Sequence, residues 1–530
     1  MSERLARSAG VVGLATLSSR LMGLARDSVL TRFFGAGAEM DAYLFATRIP
    51  TLLRELFAEG AMSAAFVPTF TRRLTEGGGR ALAWRLGSLT FNVLLLVTGA
   101  LVALGITFAG PITATYAPGF AGAPTSVPGY ADQLALAVDL TRITMPFLTI
   151  IALSAVLMGM LNALGRFFIP AFAPAVFNIV LTLTAIASSV LGPRVGIEPI
   201  MGLAFGFVLG GVGQLAVQWP TLRREGYRYQ AVLDLGDPGL RELLSLMGPG
   251  TIGQAASQVN LFVNTVLASG LGAGPISFLN YAFRLMYLPI GIFGVSVATA
   301  VLPEVSRHAA RGEVREMRGT LSWGLRLMLV LSVPAALGLI ALAGPIIELL
   351  FQGGKFSASD TASTAQALMF YAPGLIGYSA VKIVSPSFYA LGDARTPMFV
   401  SLGSVATNVV LNLILVRVMG FQGLALGTAL AAVVNAGLLV ALIRPRIGGI
   451  DGGRIASVFA RILLASLVMA VAAAGAESAL HAWLPQPSTV ARVVRVAGGV
   501  GAGVAVLLLV SMALRIEELR VAVARVLRRR

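Results

Sequence analysis

The sequence predicts an all-α polytopic membrane protein with about fourteen transmembrane helices, arranged as two pseudo-symmetric six-helix halves plus two appended C-terminal helices. Three observations support this prediction. The 530 residues are 56% hydrophobic and only 12% charged, with a mean hydropathy of +0.83, whereas about a quarter of the residues in soluble proteins are charged. Basic loops alternate with loops poor in Lys and Arg, and segments of the first half recur in the second.

Apolar stretches bounded by Gly and Pro recur along the whole chain. Each is close to the ~20 residues that a helix needs to cross a bilayer. We expect the first stretch to be retained as a helix, because Arg20 and Arg26 interrupt the apolar run that a cleavable secretory signal would need. The predicted spans have approximate cores at residues 9–34, 41–67, 86–109, 134–163, 170–192, 198–220, 244–270, 277–303, 321–351, 364–391, 396–418, 421–443, 455–480 and 491–514.

The charge of the loops gives an independent indication of topology. Residues 110–133, the longest of the loops poor in Lys and Arg, contain neither residue. By the positive-inside rule, the basic loops and both termini are expected to be cytoplasmic. The arginines of the basic loops and of the tail are Arg72, Arg73, Arg80, Arg85, Arg223, Arg224, Arg228, Arg241, Arg307, Arg311, Arg315, Arg318, Arg444, Arg446, Arg454, Arg525, Arg528, Arg529 and Arg530.

Two short segments indicate an internal repeat. Gly-Ala-Gly stands at 35–37 and at 272–274, and Ala-Leu-Gly at 163–165 and 390–392 precedes a proline by the same spacing. Blocks with an even number of spans share one orientation, and transporters built from such repeats bind cargo between the halves. We therefore predict an N-terminal half at 1–222, a C-terminal half at 223–445, two additional helices at 446–514 and a basic cytoplasmic tail at 515–530.

Charged side chains occur inside the first apolar stretch. Arg20 and Asp27 are seven residues apart and share one helix face, with Arg26 offset to the side. Gly23 leaves space between them for a neighbouring helix or a ligand. Because an Arg at the bilayer centre costs about 2.5–3.5 kcal/mol, such residues usually face a polar cavity. The pattern predicts a cationic cavity for an anionic cargo.

The second stretch and its counterpart in the other half add further charges. Glu55 and Glu59 share a face at a spacing of four, with Arg54 alongside. Guanidinium groups bind phosphate oxygens through bidentate hydrogen bonds, and the carboxylates could pair with them when cargo is absent. Arg284 in the eighth span would add an arginine from the second half. The alternative is that such charges, Arg48 and Glu55 above all, form packing ion pairs or reach the interface.

Composition excludes several other functions. The chain has no Cys, and His308 and His481 are its only histidines, so the sequence offers little material for a metal site or for histidine or cysteine catalysis. The formal net charge of +16 is explained by topology rather than by nucleic-acid binding. No phosphate-binding Gly-rich loop with Lys is present, which argues against ATP as an energy source.

The opening of the chain resembles the MurJ (MviN) flippases. The similar segments are SRLMGLARD at 19–27, FGAG at 34–37, Asp41 with Ala42, IPTLLRELFAEGA at 49–61 and AFVP at 65–68. Later segments at 118–120, 162–170 with Pro174 and Asn178, 354–356, and 388–397 agree as well. The resemblance covers about residues 8–450 in order, and its N-terminal block is highly specific.

The resemblance implies a transporter of the multidrug/oligosaccharidyl-lipid/polysaccharide exporter superfamily, not an enzyme. It would move lipid II, the undecaprenyl-pyrophosphate-linked disaccharide-pentapeptide, across the bacterial cytoplasmic (inner) membrane, as a monomer without a cofactor. Coupling to an ion or to the membrane potential stays open. The implied substrate-binding residues are Ser19, Arg20, Gly23, Arg26, Arg54 and Arg284, and the implied gating or charge-pairing acids are Asp27, Asp41 and Glu59.

One position departs from the family pattern. Many members have an acid immediately before the Arg of the eighth span, whereas this chain has Phe283. A gate built on that acid would be absent or replaced here. Two alternatives to lipid II transport also stay open: export of drugs or of another lipid-linked glycan, and a membrane glycosyltransferase or polymerase. The second is disfavoured, because residues 110–133 offer only Asp132 as an acid and His481 stands alone.

Overall fold

The computed structural model describes residues 2–55, 60–75, 79–484 and 488–518, and within them the side chains of 18–55, 65–75, 79–246, 260–294, 296–484 and 488–518. All regular secondary structure in these residues is helical, and the only β-type pairing among them is an isolated bridge between Gly353 and Phe356. The all-helical prediction is confirmed. By contacts, the chain forms two compact units: Met1–Ser277 with Gly353–Phe356, and Phe278–Gln352 with Ser357–Arg530.

The first unit contains the first ten helices and the start of the eleventh. Its core includes Phe66, Phe70, Trp84, Met160 and Tyr227, all buried. The helices are α1 (Ser2–Phe34), α2 (Ala38–Arg54), α3 (Gly60–Thr75), α4 (Gly79–Thr107), α5 (Ala109–Tyr116), α6 (Gln133–Thr144), α7 (Phe147–Ala163), α8 (Phe168–Leu191), α9 (Pro199–Arg224), α10 (Pro238–Ser269) and α11 (Pro275–Pro289).

The second unit contains the rest of α11 and the remaining helices. A π-helical turn, Ile290–Gly294, follows α11. Helix α13 packs against both α16 and α19, and α19 packs against α20. The helices are α12 (Val295–Ala310), α13 (Val314–Ala341), α14 (Ala343–Phe351), α15 (Ala358–Tyr371), α16 (Gly374–Ala390), α17 (Arg395–Met419), α18 (Phe421–Ile443), α19 (Gly452–Trp483) and α20 (Thr489–Ala513).

Local sequence explains where the helices start and bend. Asp237 precedes Pro238, and its carboxyl oxygen Oδ1 accepts hydrogen bonds from the backbone N–H groups of Gly239 at 2.8 Å and Leu240 at 3.2 Å. An Asp cap followed by Pro at the first helical position is a strong start signal. Helices α15 and α16 meet at an angle of 43°. Pro373 lies at this break, where its missing N–H removes a helical hydrogen bond.

Ten helical spans among the described residues are long and apolar enough to cross a membrane, with α6 and α7 counted together as one, or eleven if the bent pair α15–α16 is also one span. Each coincides with a stretch predicted from sequence. The other three predicted stretches, 9–34, 41–67 and 244–270, are occupied by α1, by α2 with α3, and by α10, which are not among those ten or eleven. A polytopic membrane protein is thus established, whereas the count of fourteen and the two repeated halves stay predictions.

Candidate functional site

Arg26 is fixed between two polar neighbours in the first unit. Its Nε and Nη2 atoms donate to Oδ1 of Asp27 at 3.0 and 2.7 Å, and its Nη1 donates to Oδ1 of Asn178 at 2.8 Å. The Arg26 side chain is 13% exposed and that of Asp27 6%. A guanidinium has five N–H donors, and these bonds use three of them. Arg26 is therefore oriented in advance and keeps donors for an anion.

Asn178 also holds the preceding turns of α1. Its Nδ2 donates to the backbone carbonyl of Ser19 at 3.2 Å. A Cβ added at Gly23 would lie 3.7 Å from the same nitrogen, an ordinary van der Waals contact, so α8 packs against α1 at Gly23 as well. Arg20, one turn before Gly23, is partly exposed. Asn178 of α8 thus connects the region of Ser19, Gly23 and Arg26.

Three of the four charged residues singled out in the second predicted span lie within the described part of the structure. Arg48, Arg54 and Glu55 are all partly exposed and lie at or near the end of α2. Each has a polar or electrostatic partner within the structure. Glu59, predicted to share a face with Glu55, lies outside the described residues. Its predicted role is untested by the geometry.

Asp41 caps the start of another helix. Its Oδ2 accepts the Gly274 backbone N–H at 2.7 Å, while its Oδ1 accepts the Ser277 backbone N–H at 2.7 Å and the Ser277 hydroxyl at 2.5 Å. The Asp41 residue is fully buried. The two backbone donors belong to the unsatisfied N–H groups at the N-terminus of α11, where an acidic oxygen is favoured. Asp41 therefore ties α2 to the start of α11.

A second tie lies at the end of α1. The Lys355 backbone N–H donates to the Arg32 carbonyl at 2.8 Å. Gly353 and Gly354 allow this approach, since both have positive φ (150° and 57°) and a Cβ at Gly354 would collide with the Arg32 carbonyl. Residues 353–356 consequently belong to the first unit.

Arg284 lies in the second unit, on α11, with its side chain exposed. The neighbouring Phe283 packs among aromatic rings, with centroid distances of 5.6 Å to Tyr287, 5.4 Å to Tyr371 and 6.2 Å to Tyr378. Where the family resemblance leads us to expect an acid, the structure thus has a ring in an aromatic cluster. Such rings attract each other without any ionic partner.

Sequence reasoning gave no role to several residues that hold this site. Asn178 is the polar side chain of α8 that orients Arg26, and the signal available in the sequence was the single side-chain amide in α8. Gly274 and Ser277 donate hydrogen bonds to Asp41. The Gly-Pro step at 274–275 was the feature of the sequence that marks the start of α11. A carboxylate partner at a helix start cannot be assigned from sequence, because the two helices are far apart in the chain.

The family model described as "Lipid II flippase MurJ" matches residues 30–493. The chain belongs to the MurJ family. The matched range begins after Arg26, so the α1 residues of the candidate site precede it. A probable lipid II flippase MurJ from Vibrio cholerae is 36% identical over 447 residues, covering 83% of each chain. A lipid II flippase MurJ from Burkholderia cenocepacia is 35% identical over 435 residues, covering 81% of this chain and 82% of the relative.

Solved structures agree with this assignment to the MurJ family. A lipid II flippase MurJ in an inward closed conformation superposes with a TM-score of 0.75 at 27% identity, covering 95% of this chain and 98% of that one. An inward-facing MATE family transporter of the MOP superfamily gives a TM-score of 0.65 at 14% identity over 82% of this chain and 98% of that chain. The second match shows the fold alone. As a MurJ family member, the chain is a membrane transporter rather than an enzyme.

Proposed function

We propose that this protein is a lipid II flippase of the bacterial cytoplasmic membrane. The observation that carries the proposal is membership of the MurJ family over residues 30–493, together with relatives named lipid II flippases at 35–36% identity. The cargo would be carried from the cytoplasmic to the outer leaflet. No covalent chemistry is required, because the head group only has to pass through a polar path while the polyprenyl chain stays in lipid.

The pyrophosphate of the cargo would bind the arginines Arg20, Arg26, Arg54 and Arg284. Support comes from Arg26, whose guanidinium is oriented by Asn178 and Asp27 while retaining unused donors. Charge-assisted bonds from Arg to phosphate are short and bidentate. Asp27 already accepts from Arg26, so an arriving phosphate would compete with this carboxylate for the guanidinium. Ser19 and Gly23 would contribute to the same binding region, because Asn178 contacts both of them as well as Arg26.

Alternating access would accompany transport. We assign Asp41 to a gate on the outer side, since its bonds to Gly274 and Ser277 hold α2 against the start of α11. Opening on that side would require these bonds to break. Asp27 and Glu59 would serve as charge-pairing acids. Fourteen spans with both termini cytoplasmic, and function as a monomer, fit this scheme. A charge crossing 100 mV is worth about 2.3 kcal/mol, so the membrane potential could drive the return of an empty cationic cavity.

Complementation tests the function and the site together. The chain would be expressed in bacteria depleted of their own lipid II flippase, alongside Arg20→Ala, Arg26→Ala, Arg54→Ala and Arg284→Ala. Arg417→Ala serves as the matched control, because Arg417 is exposed at the end of α17. Membrane levels of every variant would be compared by immunoblot.

The outcomes separate the two parts of the proposal. We expect rescue by the wild type and by Arg417→Ala, and loss of rescue in the four site variants at normal membrane levels. Rescue by every variant would contradict the site while leaving the flippase function. Absence of rescue by a well-expressed wild type would contradict lipid II as the cargo and favour another lipid-linked glycan or a drug.

A further inference from the structure

A cleft of about 220 Å³ lies where α19 begins and α20 ends. Arg454, Ser457, Val458 and Arg461 line one side of it, at spacings that place them on a single face of α19. Residues 515–518, which follow α20, line the other side. The cleft includes no residue of the proposed cargo site, and the proposed function does not use it.

The chain after α20 is held in place, so the cleft is a built feature. Ile516 is buried in a cluster with Val330, Val458 and Ile462. Glu518 is buried as well and pairs with the buried Arg326 of α13. These two anchors fix residues 515–518 against α13 and α19. The arginine between α20 and these anchors therefore has a defined position.

Arg515 occupies a backbone conformation that usually requires glycine. Its φ is +53°, in the left-handed region that follows a helix C-terminus. The Arg515 N–H donates to the Met512 carbonyl at 3.1 Å and the Ile516 N–H to the Ser511 carbonyl at 3.0 Å. A side chain with a Cβ is strained in this conformation, because the Cβ lies too close to the following carbonyl oxygen. The arginine is thus placed beside the cleft despite a backbone cost, which motivates a functional reading.

The cleft has an excess of positive charge. Glu518 is compensated by Arg326, and the exposed Glu517 lies 3.2 Å from Arg454. Arg461 and Arg515 form no ion pair with any residue in the described part of the chain. Two guanidinium groups on opposite walls of the cleft are therefore available to an anion. Guanidinium groups match phosphate oxygens in geometry and in charge.

We infer that this cleft binds the phosphate group of an anionic membrane lipid at the shared end of helices α19 and α20. The ends of transmembrane helices lie at head-group level, and basic pockets there recognise anionic lipids. A rule of topology alone would require only positive charge somewhere in the loop. It would not require an arginine in a left-handed turn directly before two buried anchors. A free phosphate ester offers the same chemistry, and the experiment distinguishes the two sources.

The test measures binding to the full-length protein purified in a neutral detergent. The probes are dioctanoyl-phosphatidylglycerol, dioctanoyl-phosphatidylcholine and sodium phosphate, each titrated by isothermal calorimetry. The variant Arg461→Gln/Arg515→Gln removes the two unpaired cations. Arg461→Lys/Arg515→Lys keeps their charge and so shows whether a loss reflects misfolding. The quadruple tail variant Arg525→Gln/Arg528→Gln/Arg529→Gln/Arg530→Gln is the control for general positive charge.

We expect phosphatidylglycerol to bind the wild type more tightly than phosphatidylcholine does. Its affinity for the double Gln variant should be lower than its affinity for the wild type by about tenfold or more. The Lys variant should retain most of the affinity, and the tail control should change it less than twofold. Equal phosphatidylglycerol affinity in the wild type and the double Gln variant would overturn the site. Binding of phosphate alone, lost in the double Gln variant, would overturn the lipid source in favour of a soluble phosphate ester.

Discussion

Arg495 of α20 and Glu477 of α19 form a buried ion pair, in which Nε of Arg495 donates to Oε1 of Glu477 at 2.8 Å. Their side chains are 9% and 11% exposed. Glu348 of α14 approaches the same arginine at 3.4 Å and also lies 3.2 Å from Arg492. The two additional C-terminal helices are therefore joined to each other and to α14 by one ionic network. Apolar packing alone would not set their register so specifically.

Removing Glu477 should be strongly destabilising. Glu477→Ala leaves Arg495 buried with only its longer contact to Glu348. A fully uncompensated buried charge costs about 3–5 kcal/mol, so the loss should approach the lower end of that range. Thermal unfolding of the purified protein in detergent would measure the loss. Glu304→Ala is the control, since Glu304 pairs with Arg307 at 2.8 Å but both side chains are about half exposed. That exposed pair should contribute less than about 1 kcal/mol.

A double-mutant cycle would separate this ion pair from simple packing. If the pair is coupled, Glu477→Ala/Arg495→Ala should be less destabilised than the sum of the two single variants, by roughly 1 kcal/mol or more. Strictly additive losses would contradict the ionic interpretation. They would show that each side chain contributes only by filling space.

The orientation of Arg26 should matter as much as its charge. Arg26→Lys keeps the positive charge but loses the planar fork that reaches Asp27 and Asn178. We expect Arg26→Lys to lower the rate of lipid II flipping in proteoliposomes about tenfold or more, with Arg26→Ala lower still. Asn178→Ala should lower it as well, because Arg26 would lose its acceptor on α8. A fully active Arg26→Lys would show that charge alone is sufficient.

The cap on α11 predicts a distinct effect for Asp41. Asp41→Asn is nearly isosteric, but its amide NH₂ would face the N–H groups of Gly274 or Ser277, which are donors too. Leaving a buried donor unsatisfied costs about 1–3 kcal/mol. The start of α11 should then exchange its amide hydrogens faster, and a cysteine introduced near residue 274 should become accessible from the outer side. Unchanged exchange and accessibility in Asp41→Asn would contradict the gate.

Sequence patterns were sufficient for the class of protein and for the positions of most helices. Hydropathy predicted every helix now found long and apolar enough to span a membrane, because a bilayer imposes length and composition directly. The charges inside α1 likewise pointed to Arg26 and Asp27, which the structure places in one hydrogen-bonded group. Both inferences depend on residues that are close in sequence.

Contacts between distant segments could not be predicted in the same way. Asn178 reaches Arg26 across 152 positions and Ser277 reaches Asp41 across 236, and neither spacing follows from helical periodicity. Arg495 and Glu477 lie on helices whose relative rotation depends on packing. The cleft beside Arg515 depends on a left-handed backbone conformation at a residue other than glycine, for which the local sequence gives no signal.

The protection of the loop at 117–132 from hydrogen exchange should depend on pH. Asp132 accepts the Gly122 N–H and the Ala135 N–H, each at 2.9 Å, so that it both closes the loop and caps α6. These backbone bonds to the charged form hold the pKa of Asp132 below its usual value of 3.8. A carboxyl group with a lowered pKa stabilises the fold above its unfolded pKa and loses that contribution as the pH falls through the lowered value.

Loop protection in hydrogen exchange should therefore persist at pH 5 and decline below about pH 4. Asp132→Asn should remove this dependence, and an unchanged profile would contradict the assignment.

Alanine substitutions at Gly35 and Gly165 would test the contact between residues 353–356 and the end of α1, with Gly165 as the matched control. Both have positive φ, 69° and 73°, so alanine at either position carries the same backbone cost of about 1–2 kcal/mol. Only at Gly35 would the new Cβ meet another segment, at 2.8 Å from the Lys355 carbonyl oxygen, whereas nothing lies within 4 Å at Gly165. A rigid backbone atom cannot move aside as a flexible side chain can.

Gly35→Ala should therefore lower the free energy of unfolding by at least about 1 kcal/mol more than Gly165→Ala. It should also make residues 353–356 more accessible to protease, which Gly165→Ala should leave unchanged. Equal losses in the two variants would show that backbone strain alone acts at Gly35 and that the contact with Lys355 contributes nothing.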